Sequence, residues 1–187
     1  MKSKPDSREK ILQAASRLFQ LQGYHATGLN QILQESGAPK GSLYYYFPNG
    51  KEELAIEAVH YTSQYIGTSI QAHMEKESDP VRAIQLFIIE TASQFDHPES
   101  IQGVPVGLLA AETALISEPL RAACIEAFKK WESLFTQKFV QSGMDMQQAD
   151  KLGILISSMV GGSIMRSLTE KDKRPLLLLA EIIPKLI

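Results

Sequence analysis

The chain is 187 residues long, enough for one domain or for a small domain joined to a larger one. Apolar residues make up 44% and charged residues 21%, which excludes a disordered chain; a single cysteine, Cys124, excludes an intrachain disulfide framework and a multi-cysteine zinc site. The net charge of −2 hides a split: residues 1–50 carry six basic residues (Lys2, Lys4, Arg8, Lys10, Arg17, Lys40) against three acids (Asp6, Glu9, Glu35), whereas residues 51–187 carry 13 basic and 18 acidic residues. A basic head on an acidic body is the asymmetry to follow.

No run of about 18 uncharged apolar residues occurs, so no membrane span is expected. The polar start, Met1 to Asp6, has no apolar signal core. A reducing, cytoplasmic setting is the expectation.

The spacing of Ile11, Ala14, Ala15, Leu18 and Phe19 predicts a first helix over 7–22, capped by Asp6 or Ser7 and stopped by Gly23. A short second helix fits 28–36, capped by Thr27, with Leu29, Ile32 and Leu33 inward. Ser36-Gly37-Ala38-Pro39 breaks the chain. Pro39 suits the first turn of a third helix over 40–47, because its missing N–H is an orphan there in any case. Pro48-Asn49-Gly50 ends that helix. Helical patterns then predict segments over 51–77, 80–95, 106–115, 118–142 (capped by Ser117), 147–168 and 174–186, with a loop from His97 to Ser100. Val and Thr are few and no useful period-2 alternation appears, so the predicted fold is all-α with about nine helices.

The second and third segments have the dimensions of a helix-turn-helix. Leu43 and Phe47 supply the inward side of the third helix, which leaves Lys40, Gly41, Ser42, Tyr44, Tyr45 and Tyr46 for its other faces. A cation and hydroxyl groups suit phosphate contacts, and small residues let a backbone approach. Three consecutive tyrosines cannot all face inward when successive residues point about 100° apart.

Gly37-Ala38-Pro39-Lys40-Gly41-Ser42-Leu43-Tyr44-Tyr45-Tyr46-Phe47, followed by Lys51-Glu52-Glu53-Leu54, resembles the DNA-binding signature of the TetR family of bacterial repressors. The lead-in agrees: Ile11-Leu12-Gln13-Ala14-Ala15, Leu18-Phe19, Gly23-Tyr24 and Thr27. The resemblance spans residues 7–60. It implies a DNA-binding head over 1–50, completed by 51–60, and an effector-binding and dimerisation domain over 51–187. It also implies DNA contacts from Thr27, Lys40, Gly41, Ser42, Tyr44, Tyr45, Tyr46 and Lys51. The chain departs from the family pattern at Tyr46, where His is usual, at Gly28, and in a turn before Lys51 that is one residue longer than the commonest. Within the family, Gly103-Val104-Pro105-Val106-Gly107-Leu108-Leu109 and the stretch from Ser167 to Leu176 resemble the LmrA/YxaF group, which implies sensing of aromatic small molecules such as flat polyphenols.

The body holds more aromatic and Met residues than a minimal core needs. Phe87, Leu108, Phe128, Trp131 and Met159, with Glu112 as a polar anchor, are the expected effector contacts. The segment over 147–168 is apolar on nearly all sides and should be buried all round. Leu155, Gly161, Gly162 and Met165 there, with Leu178 and Ile182 in the last helix, are the expected homodimer interface. His25, His60, His73 and His97 are scattered, and no metal or catalytic spacing occurs, so no metal, no cofactor and no enzyme activity are expected. The combined expectation is a ligand-responsive repressor, homodimeric on a near-palindromic operator and released by a small apolar or aromatic effector. The rival reading is a helical carrier that sequesters apolar molecules without any DNA role.

Overall fold

The computed structural model describes residues 7–96 and 106–187. Asp6 as a cap, Lys2 and Lys4, the loop from His97 to Ser100 and the stretch Gly103 to Pro105 lie outside the described residues. Among the described residues the chain forms nine α-helices and no strand: α1 (Ser7–Ala26), α2 (Leu29–Ser36), α3 (Lys40–Tyr46), α4 (Lys51–Lys76), α5 (Pro80–Ser93), α6 (Val106–Thr113), α7 (Glu118–Gln141), α8 (Met146–Glu170) and α9 (Arg174–Leu186). One turn of 3₁₀ helix, Gln94–Asp96, extends α5.

The helix ends follow local chemistry. The carboxylate of Asp79 accepts from the Arg82 N–H at 2.6 Å, and Pro80 fills the first position of α5. Ser117 caps α7 by accepting from the Leu120 N–H at 3.2 Å. Asp145 does the same for α8 through the Gln148 N–H at 3.1 Å. The expected stop at Gly23 takes another form. Gly23 adopts φ 80° and ψ 176°, a break after which a further turn runs to Ala26. The second helix starts at Leu29 behind Gly28 and has no side-chain cap, so Thr27 does not cap it.

By compactness the chain divides into two units, Met1–Gln64 with Gln102–Ala127, and Tyr65–Ile101 with Phe128–Ile187. The first unit therefore takes α6 together with the N-terminal helices. Ile11, Ala15, Phe19, Ile32, Leu43, Phe47, Leu54 and Ala58 are buried in it. The second unit buries Ile70, Ile84, Phe87, Ile88, Phe135, Phe139, Ile156, Leu176 and Ile183 in one cluster. Its α5 and α9 pack together, and Gln85 donates to the Ala180 carbonyl at 2.9 Å. Lys138 on α7 is buried, and its ammonium donates to the Met74 and Glu77 carbonyls at 2.7 and 2.5 Å. A cation there meets the carbonyls that a helix C-terminus leaves unpaired.

The expectation that α8 is buried all round does not hold within one chain. Ala149, Gly153, Ile156, Val160 and Ser167 are buried, but Ile154 and Leu155 are each 46% exposed. Among the described residues only one face of α8 is covered, and the opposite face, with Ile154 and Leu155 on it, is open. It is also the one helix among the described residues long and apolar enough to cross a membrane by length and composition.

Candidate nucleic-acid interface

Three features set α3 in place. Gly37, at the C-terminus of α2, has φ 61°, the left-handed conformation in which a side chain is strained. Pro39 then leads into α3, and the Ser42 N–H donates to the Pro39 carbonyl at 2.9 Å. Leu43 and Phe47, four residues apart and fully buried, anchor one side of the helix. The other side is thereby turned outward: Lys40, Gly41, Tyr44 and Tyr45 are exposed, with Tyr45 at 78%, and Ser42 and Tyr46 are half-buried. The rings of Tyr45 and Tyr46 meet edge to face at 4.9 Å. A Cβ on Gly41 would meet nothing within 4 Å, so the backbone of α3 is bare at that point.

The base under α3 is tied by charge. Arg8 pairs with Glu57 at 2.6 Å and lies 5.6 Å from the centre of the Phe47 ring. Arg17 pairs with Glu35, joining α1 to α2. Gln22 and Gln31 exchange amide hydrogen bonds at 2.6 and 3.3 Å, a second tie between those helices. The Asn49 N–H donates to Glu53 at 2.8 Å and fastens the turn before α4. These pairs neutralise Arg8 and Arg17. Lys10 and Lys40 have no carboxylate partner among the described residues.

Two of the expected DNA-contacting residues point elsewhere. Thr27 is 1% exposed, and its hydroxyl donates inward to the Gly23 carbonyl at 2.7 Å. A buried, committed hydroxyl is not presented to a phosphate. Lys51 is half-buried, donates to the His25 carbonyl at 3.4 Å and lies 4.5 Å from the centre of the Tyr24 ring. Burial pushes its ammonium below the ordinary lysine range, opposed by the charge of Glu112. Burial, and secondly the charge of Glu52, pushes the Tyr24 phenol up.

The expected effector contacts are divided between the two units. Leu108 and Glu112 belong to the first unit, and Phe87, Phe128, Trp131 and Met159 to the second. Glu112 is not a free acid in an apolar helix: its carboxylate accepts from the Tyr24 and His25 N–H groups. Phe87 is packed in the core, edge to face with His73 at 5.7 Å and 6.0 Å from Phe135. Phe128 and Trp131 meet edge to face at 5.8 Å, and Trp131 and Met159 are partly buried beside the core. Of the expected interface residues, Leu155 and Leu178 are 46% and 55% exposed, Gly161 and Gly162 are exposed, and Met165 and Ile182 are half-buried. A groove of about 490 Å³ runs between α8 and α9, lined in part by Leu178, Leu179, Ile182 and Arg166.

Sequence reasoning missed the Gln22–Gln31 pair and the seating of Glu112. Neither has a local signature, because in both the partner lies on another segment.

The comparisons with known proteins agree with this architecture. Residues 11–58 match the model of the bacterial regulatory proteins of the tetR family, and residues 80–182 match the LmrA/YxaF-like C-terminal domain of transcriptional regulators. The chain is 66% identical over 187 residues to the uncharacterized HTH-type transcriptional regulator YxaF of Bacillus subtilis, covering 100% of this chain and 98% of that protein. It is 55% identical over 182 residues to the HTH-type transcriptional regulator LmrA of the same organism, covering 97% of each. In fold it is similar to a TetR transcriptional regulator from Legionella pneumophila, with a TM-score of 0.85 at 20% identity and full coverage of both chains. A helix-turn-helix with an outward α3 and an all-α body of LmrA/YxaF type occur here in one chain, which belongs to the TetR family of transcriptional regulators, in its LmrA/YxaF-like group.

Proposed function

We propose that this regulator is a cytoplasmic, ligand-responsive repressor that binds a near-palindromic operator as a homodimer. The observation that carries the reading is the outward face of α3. Lys40, Gly41, Tyr44 and Tyr45 are exposed there, while the neighbouring Arg8 and Arg17 are neutralised by Glu57 and Glu35. An unpaired lysine, phenol hydroxyls and bare backbone on one short helix suit a phosphate-lined groove. Residues 1–60 are the DNA-binding part in this reading, with Ser42 and Tyr46 as further contacts. Thr27 and Lys51 support the connector behind them.

Dimerisation is supported by the apolar face that α8 and α9 leave open, with Leu155, Leu178, Gly161 and Gly162 on it. Gly161 and Gly162 would let a second helix approach closely, since a Cβ on either meets nothing within 4 Å. A two-fold dimer would place two α3 helices in major grooves about one helical turn apart, roughly 34–36 Å. The effector is a small apolar or aromatic compound, held in part by Phe128, Trp131 and Met159. It would favour a state in which that spacing is lost, so that ligand and DNA oppose each other reciprocally.

The test uses labelled duplexes tiling the DNA upstream of the protein's own gene, with binding followed by anisotropy. Binding of one tile, and its release by flat aromatic compounds that also quench Trp131 saturably, is the expected result. Quenching without release would remove the coupling. Absence of binding to every tile would remove the reading of α3 as the DNA-contacting helix.

A further inference from the structure

Gly23 interrupts the helical path of α1, and a new turn opens at Tyr24. The first N–H groups of any such turn lack an intrahelical acceptor. Here the acceptor comes from α6, 88 residues further along the chain. One oxygen of Glu112, Oε2, accepts from the Tyr24 N–H at 2.7 Å and from the His25 N–H at 3.3 Å. That is the task of an N-cap aspartate, performed by a carboxylate from another helix, and a charged acceptor makes the stronger bond. Glycine at position 23 allows the approach, because a Cβ there would lie 2.2 Å from Oε1 of Glu112.

The same connector is held from its other sides. Thr27 donates to the Gly23 carbonyl at 2.7 Å, and Lys51, the first residue of α4, donates to the His25 carbonyl at 3.4 Å. The Ser117 hydroxyl, just after α6, donates to Glu52 at 2.5 Å. The five residues from Gly23 to Thr27 are therefore gripped by both α4 and α6. Two residues beyond this grip α2 begins, and α3 follows it.

We infer that Glu112 is a positioning residue for DNA binding: its carboxylate holds the Gly23–Thr27 connector and thereby sets the placement of α2 and α3. The inference rests on the reading of α3 as the DNA-facing helix. Glu112 touches no DNA in this account and acts only through the connector.

The experiment compares wild type, Glu112→Gln and Glu112→Ala by amide hydrogen exchange and by binding to the tiled upstream duplexes. In the free protein, the Tyr24 and His25 amides of Glu112→Ala should exchange about tenfold faster, as expected for one lost hydrogen bond to a charged group. Amides at Leu54 and Ile88 should be unchanged. DNA affinity should fall about tenfold in step, since a displaced reading helix loses contacts worth a comparable free energy. Glu112→Gln keeps an acceptor oxygen and the side-chain volume, so it should restore most of both; general damage to the core would give no such rescue. Wild-type exchange at Tyr24 in Glu112→Ala overturns the inference. So does fast exchange there with wild-type DNA affinity. If Glu112→Ala does not fold, Glu112→Gln decides by exchange. With a neutral acceptor in place of a charged one, the Tyr24 amide should still exchange a few-fold faster than wild type, with a matching small loss of DNA affinity. Faster exchange there without any loss of affinity would overturn the positioning role. Failure of the wild-type protein to bind any duplex removes the reading of α3, and the positioning role falls with it. The exchange arm still reports separately whether Glu112 holds the connector.

Discussion

The helices that the two compact units leave uncovered, α3 in the first and α8 with α9 in the second, differ in chemistry. The first unit neutralises Arg8 and Arg17 with carboxylates and carries the exposed aliphatic side chains Leu21, Leu115 and Ile116 outside α3, where Lys40 and two tyrosines stand in the open. The second unit ties two of its lysines locally, with Lys138 capping the end of α4 and Lys173 pairing with Asp96 at 2.6 Å. What it leaves open is apolar: Ile154, Leu155, Leu177 and Leu178 on α8 and α9. Single exposed apolar residues are ordinary, but several on two packed helices mark a surface that another apolar surface covers. Unpartnered charge and phenol point to nucleic acid, and unpartnered aliphatic area points to protein.

The largest effect should come from charging the apolar face. Leu155→Asp with Leu178→Asp should raise the dimer dissociation constant on the order of a hundredfold or more, because an unpaired carboxylate in an apolar contact costs several kcal/mol. Both side chains are exposed in the single chain, so helicity should be retained. Sedimentation equilibrium reads the result, and an unshifted constant would show that this face is not the interface.

A smaller effect is expected where α7 and α8 cross. A Cβ on Gly153 would lie 2.3 Å from the Thr136 hydroxyl and 2.8 Å from the Glu132 carbonyl. Gly153→Val should cost about 1–3 kcal/mol as overpacking. At roughly 2–4 °C per kcal/mol for a chain of this size, a lowered melting temperature reports it. An unchanged melting temperature would mean that α8 is free to move away from α7.

Lys138→Met tests how the second unit handles charge. It removes the ammonium from two carbonyls while keeping the aliphatic stem, and should cost about 1–2 kcal/mol. Denaturant midpoints would measure it, and a neutral or stabilising outcome would show that the buried cation is dispensable.

The smallest effect concerns Cys124, which is buried and has its thiol pushed up to about 11. The thiolate is the reactive form, so iodoacetamide should label the native protein slowly at pH 8 and rapidly in denaturant. The folded state favours the protonated thiol. Its stabilising contribution is therefore present below the ordinary value of 9.0 and is lost as pH rises towards 11. Rapid native labelling at pH 8 would place Cys124 at an accessible site.

Much of the head is legible in the sequence because its determinants are local. Gly37, Pro39, Leu43 and Phe47 fix the turn and the buried side of α3 within eleven residues, and the exposed residues follow by subtraction. The break at Gly23 was also readable, as a stop. The residues behind it were not. Thr27 has the chemistry of a cap or a phosphate contact, and only the path of the chain turns its hydroxyl onto the Gly23 carbonyl. Glu112, flanked by Leu108, Leu109, Ala110 and Ala111, reads as a polar anchor in an apolar site. Its true partners are backbone N–H groups, which carry no side-chain signature to search for. On α8, composition signals burial but does not say whether the covering partner lies in the same chain or in another.

The central claim is that the outward face of α3 meets DNA, and the salt dependence of binding by Lys40→Ala tests it most directly. If Lys40 neutralises one phosphate, the variant should bind the upstream duplex more weakly, and its plot of log affinity against log salt should be shallower than wild type by about one unit. An affinity and a slope equal to those of wild type would contradict the assignment of α3 as the DNA-contacting helix.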